Sequence, residues 1–260
     1  MTEDVNVLQL IDRSLGDQPE ASRRKFVGMA AATLGGLGLM GLPSVALAKH
    51  NSTQQILNVA ASAEVLATIV NTVGFRKGLG GDRVTQRNIK AAAREELVHY
   101  QVLAALGGKA ASFKVWVPDA VFANRTNFLN TLQVGDQIFI NAYLVAVHSF
   151  GVRRMEDFAV FAAEFMGVEA VHRALARQSL GLLGNDRVFM KFDQKETAPG
   201  APNRGQPGFD EIQGAVEQLL AAGFNFGAPG ARPGSFYNFK EVREKTPTDP
   251  DLNTFRPDAN

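Results

Sequence analysis

The chain has 260 residues and a formal charge of +1, from 27 basic and 26 acidic side chains, and 45% of it is hydrophobic. This is a globular composition, and its charge balance excludes a nucleic-acid binder that works by neutralising phosphates. Cysteine is absent, which excludes disulfides, zinc ribbons, iron–sulfur clusters and thiol nucleophiles and confines imidazole chemistry to His50, His99, His148 and His172.

The N-terminal segment reads as an address. A polar stretch leads to Ser22-Arg23-Arg24-Lys25-Phe26, an apolar run spans Val27 to Leu42, Pro43 ends it, and Ala46-Leu47-Ala48 follows. Charged region, apolar region and A-x-A site are the order of an export signal, and the paired arginines give it the twin-arginine form. Five glycines within the apolar run weaken both helicity and partition into lipid, so a cleaved signal is expected rather than an anchor. Gly36-Leu37-Gly38-Leu39-Met40-Gly41 fits G-x-G-x-x-G, but no strand precedes it and it is no nucleotide loop. The expectation is a signal over residues 1–48 and a periplasmic or otherwise extracytoplasmic chain from Lys49, with 23 basic and 21 acidic residues and no membrane or nucleic-acid patch.

Four long segments then carry apolar residues at helical spacing. They are Ser52–Val73, capped by Asn51 or Ser52 and stopped at Gly74; Val84–Leu106, ending at Gly107-Gly108; Arg125–Phe150, stopped at Gly151; and Met155–Leu180, stopped at Gly181. The third and fourth are joined so briefly that they must be antiparallel neighbours, whereas roughly fifteen or more residues, Trp116 and Pro118 among them, separate the second from the third. This spacing predicts an all-α four-helix bundle over residues 49–225 with one long crossover. A fifth, shorter helix is expected over Phe209–Ala222, after a Gly/Pro/Asn-rich loop at 182–207. Residues 226–260 read as an irregular Gly/Pro/aromatic tail that packs on something.

The second helix contains Glu96-Leu97-Val98-His99 and the fourth Glu169-Ala170-Val171-His172. At i and i+3 both side chains of each pair leave the helix on one face. Stepping by three and four from Glu96 meets Ile89, Ala92, Ala93 and Leu103, and from Glu169 meets Phe158, Ala162, Phe165 and Ala176. A carboxylate in such an apolar stripe is costly unless it is paired or metal-bound. The other two helices each offer one more: Glu64, among Ile56, Ala60, Ala67 and Val70, and Asp136, among Phe128, Leu129, Leu132 and Ile140. One carboxylate, Glu-x-x-His, one carboxylate, Glu-x-x-His is the ligand set of dinuclear iron or manganese carboxylate bundles. The expected ligands are therefore Glu64, Glu96, His99, Asp136, Glu169 and His172, and the four carboxylates balance two divalent ions, iron first and manganese as the alternative.

Other polar residues fit less well. Glu95 and Glu164 fall off the core faces and read as solvated, with support of the site ligands as the alternative; Arg173 either pairs with a site carboxylate or leans outward. Tyr100 and Tyr143 flank the site along their helices and read as core packing, with hydrogen bonding to the site as the alternative. His148 lies about 120° from the Asp136 face and His50 at the mature N-terminus, so both read as non-ligands, and Gln137 and Asn141 lie off the Asp136 stripe.

Four segments carry a family resemblance: Arg94-Glu95-Glu96-Leu97-Val98-His99, Ala142-Tyr143-Leu144, Val168-Glu169-Ala170-Val171-His172 and Leu220-Ala221-Ala222-Gly223-Phe224. Over residues 52–225 the chain resembles bacterial ferritin-like proteins of the desiccation-related type. The resemblance implies a fold similar to ferritins and rubrerythrins, a di-iron or related site, and export, and it fixes no reaction. In such a site Glu64 and Asp136 would be terminal ligands, Glu96 and Glu169 bridges, and His99 and His172 would each hold one ion. The family usually carries Glu where this chain has Asp136, whose carboxylate withdraws by roughly 1.5 Å. Two functions follow as expectations: dioxygen or peroxide chemistry, such as a ferroxidase, in oxidative or iron-linked protection, or a non-catalytic protective scaffold with a degenerate site. A homo-oligomer assembled through the aromatic tail is a third, and the sequence leaves open whether the protein is an enzyme.

Overall fold

The computed structural model describes residues 51–185 and 209–248; the expected signal at 1–48, His50 and Phe255 lie outside the described residues. Four long helices dominate: α1 (Thr53–Arg76), α2 (Arg83–Ala105), α3 (Arg125–Val152) and α4 (Glu156–Ser179). Helix α1 packs along α2 and α3 along α4, and the chain crosses between the two pairs through residues 106–124. This is the expected all-α bundle with one long crossover.

Side-chain caps set the helix starts. The Ser52 hydroxyl accepts from the Gln55 N–H at 3.1 Å, Asp82 from Thr85 at 2.9 Å and Asn124 from Asn127 at 2.9 Å. Helix α4 has no such bond and instead carries Glu156 and Asp157 in its first turn, where the helix dipole favours negative charge.

Two of the glycine stops are not stops. Gly74 lies inside α1, where a Cβ would sit 2.1 Å from Cζ of Phe128, so the missing side chain lets an α3 ring lie against the α1 backbone. Helix α3 runs through Gly151 to Val152, and Arg154, with φ of 54°, makes the turn into α4. Close packing, rather than termination, is what Gly74 supplies.

Helices α2 and α4 each bury one stripe, but α1 is buried around its whole circumference from Ala60 to Thr72. It is long and apolar enough to cross a membrane, and here protein covers it instead. Part of that cover comes from α5 (Gln213–Ala221) and α6 (Phe239–Arg243), and the Thr72 and Thr246 hydroxyls pair at 2.9 Å behind α6. Helix α5 is the expected fifth helix, shortened at its start.

The tail is more ordered than its composition suggested. Strand β1 (Lys114–Pro118), in the crossover, pairs antiparallel with β2 (Asn225–Phe226) and β3 (Gly234–Asn238) in the order β2-β1-β3, with Val115 opposite both Phe226 and Tyr237. Crossover and tail are thus one structure, and residue 225, the expected junction, opens β2. Phe239 is buried edge-on to Tyr100 at 4.7 Å and stacked on Phe113 at 5.7 Å, which makes Tyr100 a packing residue.

Replacing Gly74 by Ala drives a methyl group into the Phe128 ring. A loss of about 1–3 kcal/mol with unchanged helix content is expected in thermal denaturation followed by circular dichroism. An unchanged melting temperature would show that the ring does not lie against α1.

Candidate metal centre

The four long helices deliver the six expected residues to one place. Glu64, Glu96, His99 and Glu169 form one group and Glu96, Asp136, Glu169 and His172 another, each with one ligand atom per residue and all such atoms within 4.8 Å of one another. The two groups share Glu96 and Glu169. The i, i+3 pairs on α2 and α4 supply the shared carboxylates and the imidazoles, α1 supplies Glu64, and α3 supplies Asp136. The three glutamates are fully buried, and His99, Asp136 and His172 nearly so.

Both imidazoles aim Nδ1 at the shared carboxylates. His99 Nδ1 lies 3.5 Å from Glu96, 3.4 Å from Glu169 and 3.6 Å from Glu64, and His172 Nδ1 lies 3.2 Å from Glu96 and 3.7 Å from Glu169. Donor atoms that share an ion at about 2.1 Å stand roughly 3 Å apart at right angles, so these separations suit a common cation. The hydrogen-bond inventory points the same way. Glu64 Oε2, Glu96 Oε2, Asp136 Oδ2, both Glu169 oxygens and both Nδ1 atoms are buried without a hydrogen-bond partner. Buried polar atoms are rarely left so, and a cation in each group would satisfy the whole set. Oxygen and neutral imidazole donors without sulfur fit iron or manganese.

Electrostatics show what the centre does without a cation. Burial, and then the Glu96 charge, pushes the Glu64 carboxyl well above the usual range, and burial with Glu169 does the same to Asp136. Burial also opposes ionisation of Glu96, but His172 and His99 outweigh it and hold this carboxyl well below the usual range. For both imidazoles burial disfavours the charged form, yet Glu64 and Glu169 around His99, and Glu169, Glu95 and Glu96 around His172, raise them well above an ordinary histidine. The cluster therefore retains protons where cations would otherwise compensate its charge.

Three further residues support the six. Glu95, expected to be solvated, is 38% exposed and its Oε2 lies 2.7 Å from His172 Nε2. A carboxylate there fixes the proton on Nε2 and leaves the Nδ1 lone pair facing the cluster. In the sequence this role stood only as the alternative to solvation, because periodicity assigns each residue to its own helix's face and does not show that α4 reaches across. Tyr143, buried edge-on to Phe165 at 5.6 Å, donates its hydroxyl to Glu64 Oε1. Burial and the Glu64 charge raise its phenol far above the usual value, so it remains a donor. Asn71 Nδ2 lies 3.5 Å from Glu96 Oε1; it sits seven residues, two helical turns, beyond Glu64, and that spacing was its one signal in the sequence. Arg173 is buried and contributes positive charge near Asp136. Glu164 and His148 are exposed, Gln137 and Asn141 bond to each other at 3.1 Å, and none of these four joins the groups.

The pKa directions set the sign of the pH dependence. Glu64, Asp136, His99 and His172 are raised on folding, so the stability each contributes is present at low pH and is lost as pH climbs through its folded value. Glu96, lowered on folding, loses its contribution only as pH falls below the ordinary carboxylate range. Over about pH 5 to 8 the melting temperature of chelator-treated protein should fall through these groups as pH rises, while the increment from added metal should grow, because protons compete with cations. Melts with and without chelator measure this; parallel profiles would mean that the cluster exchanges no protons for cations. For the second group, Glu95→Ala should weaken metal binding about 10–100-fold, read by chelator competition. An unchanged affinity would show that Glu95 does not orient His172.

No curated protein matches the chain, and no solved structure does. The sequence model of a family described as a ferritin-like domain matches residues 52–182, which span α1 to α4 and include all six cluster residues. With half of its length matched, and with its buried Glu/His cluster inside that half, the chain belongs to the ferritin-like domain family.

Proposed function

We propose that the protein is an exported dinuclear iron or manganese protein of the desiccation-related type, acting on dioxygen or peroxide in iron-linked or oxidative protection. The observation that carries this reading is the sharing of Glu96 and Glu169 between two four-residue groups, each completed by one imidazole and one further carboxylate. Iron or manganese bound among these oxygen and imidazole donors would supply redox chemistry towards dioxygen or peroxide. The chain's own part is to hold and orient. Glu96 and Glu169 would bridge, Glu64 with His99 and Asp136 with His172 would complete each position, Tyr143 fixes Glu64 through its hydroxyl, and Glu95 fixes His172. A degenerate scaffold would leave the second group open, whereas Asp136, despite its shorter arm, stands within 4.8 Å of its three partners' ligand atoms. Ser22-Arg23-Arg24-Lys25-Phe26 and Ala46-Leu47-Ala48 support twin-arginine export, a route for folded proteins that suits a centre assembled beforehand.

The test is to express the full chain, recover the processed form from the extracytoplasmic fraction without added metal, and determine its N-terminus and metal content. An N-terminus at Lys49 and about two moles of iron plus manganese per chain are expected. The double variant Glu96→Ala/His99→Ala should lose the metal and melt no higher than chelator-treated protein. Less than about one mole per chain after reconstitution would overturn the dinuclear reading. Retention of the unprocessed chain in the cytoplasm would overturn export.

A further inference from the structure

A cavity of about 290 Å³ opens between α1, α3, the end of β1 and the tail, and its wall includes Asp136 and Asn71. Asp136 belongs to the Glu/His cluster, and Asn71 lies beside Glu96, so the cavity reaches the centre from one side. Its depth is apolar: Leu66 and Val70 of α1, Phe139 of α3, and Leu219 and Phe224 beyond the bundle are all buried. Its rim is polar and exposed, with Asn127, Asn130 and the guanidinium-bearing Arg232.

Two local features hold this space open. Gly135 lines it from within α3, where glycine costs roughly 1 kcal/mol relative to alanine, and a Cβ there would meet nothing within 4 Å. Packing therefore does not require glycine at this position, and the open volume is what its small size preserves. Arg232 is pinned at the rim: the Trp116 indole N–H donates to its carbonyl at 3.0 Å, and its stem lies so close over Gly223 that a Cβ there would sit 2.8 Å from Arg232 Cδ. Leu219, Phe224 and Arg232 all lie outside the family-matched segment 52–182, so one wall of the cavity comes from the chain that follows the four long helices.

We propose that this cavity binds a medium-chain alkyl monocarboxylate, its carboxylate on Arg232 and its chain running inward towards Asp136. An apolar throat with one cation at the rim matches a molecule with an apolar tail and one anionic end. The rim sets the orientation, because a carboxylate buried in the apolar depth would lose its hydration, whereas beside exposed Arg232 it keeps water and meets a cation. The space admits an alkyl chain of several carbons rather than a single small ion, and octanoate is the probe of that class. The inference deepens the proposed function by naming the class of molecule that lies beside the centre, and it rests on that reading only for the ions themselves.

Trp116, the single tryptophan of the chain, reports on the rim, so octanoate is titrated into the processed protein by fluorescence and calorimetry, with acetate and octanol for comparison. One-to-one saturable octanoate binding, tighter than that of acetate or octanol, is expected. Arg232→Gln should weaken octanoate about tenfold and leave octanol unchanged, through loss of a charge-assisted contact. Gly135→Leu, which fills the cavity while favouring the helix, should abolish both. Octanoate binding no tighter than that of acetate or octanol, or insensitive to Gly135→Leu, would overturn the proposal. The titrations are run on metal-free and metal-loaded protein. Octanoate binding by a protein that takes up no metal overturns the dinuclear reading and supports the pocket; metal uptake without octanoate binding does the reverse.

Discussion

Carboxylates withdrawn from water must have positive charge beside them, and this bundle buries four of them against two imidazoles in its interior. Without a cation, burial raises the Glu64 and Asp136 carboxyls, the surrounding carboxylates raise His99 and His172, and the two imidazoles hold Glu96 low. Breaking one partnership leaves another charge uncompensated, so the cluster acts as a unit across the four long helices. Its surroundings are built to limit its freedom: Phe165 stacks on His99 at 4.1 Å, Tyr143 bonds to Glu64, and Glu95 bonds to His172 from the half-exposed side.

The same demand for exclusion of water explains the architecture around α1. A helix that carries Glu64 and is buried all round needs cover on faces that three partner helices do not reach. Helices α5 and α6 supply it, and the crossover adds a contact where the Ala111 N–H donates to Ser62 Oγ at 2.8 Å. That cover also shapes the cavity beside Asp136, so the elements beyond the family-matched segment bear on what can approach the centre.

Much of this was legible in the chain before folding. Glu96 with His99 and Glu169 with His172 declare themselves because a helix turns by 100° per residue, so polar residues three apart share a face with the apolar residues around them. Glu64 and Asp136 were legible for the same reason, each a lone carboxylate in an apolar stripe. Glu95 was legible only as an alternative to solvation, since its partner sits on another helix 77 residues away and its own periodicity places it towards solvent. Gly74 was misread as a stop because glycine ends helices far more often than it admits an aromatic ring, and only the position of Phe128 distinguishes the two. Short strands in a Gly/Pro-rich tail give no periodicity to read, and their order comes from pairing with β1 more than a hundred residues earlier.

By itself, then, the sequence determined what is local: four amphipathic or apolar helices, their caps, the long crossover, and the six polar residues that could not face an apolar core alone. Tertiary structure decided what depends on distance between segments: that Glu96 and Glu169 are shared by two groups, that Glu95 and Tyr143 orient their neighbours, that α1 is enclosed, and that the tail walls a cavity reaching Asp136. The division follows from the physics. Helical periodicity is written in side chains a few residues apart, whereas the company a buried charge keeps is set by which helices pack together.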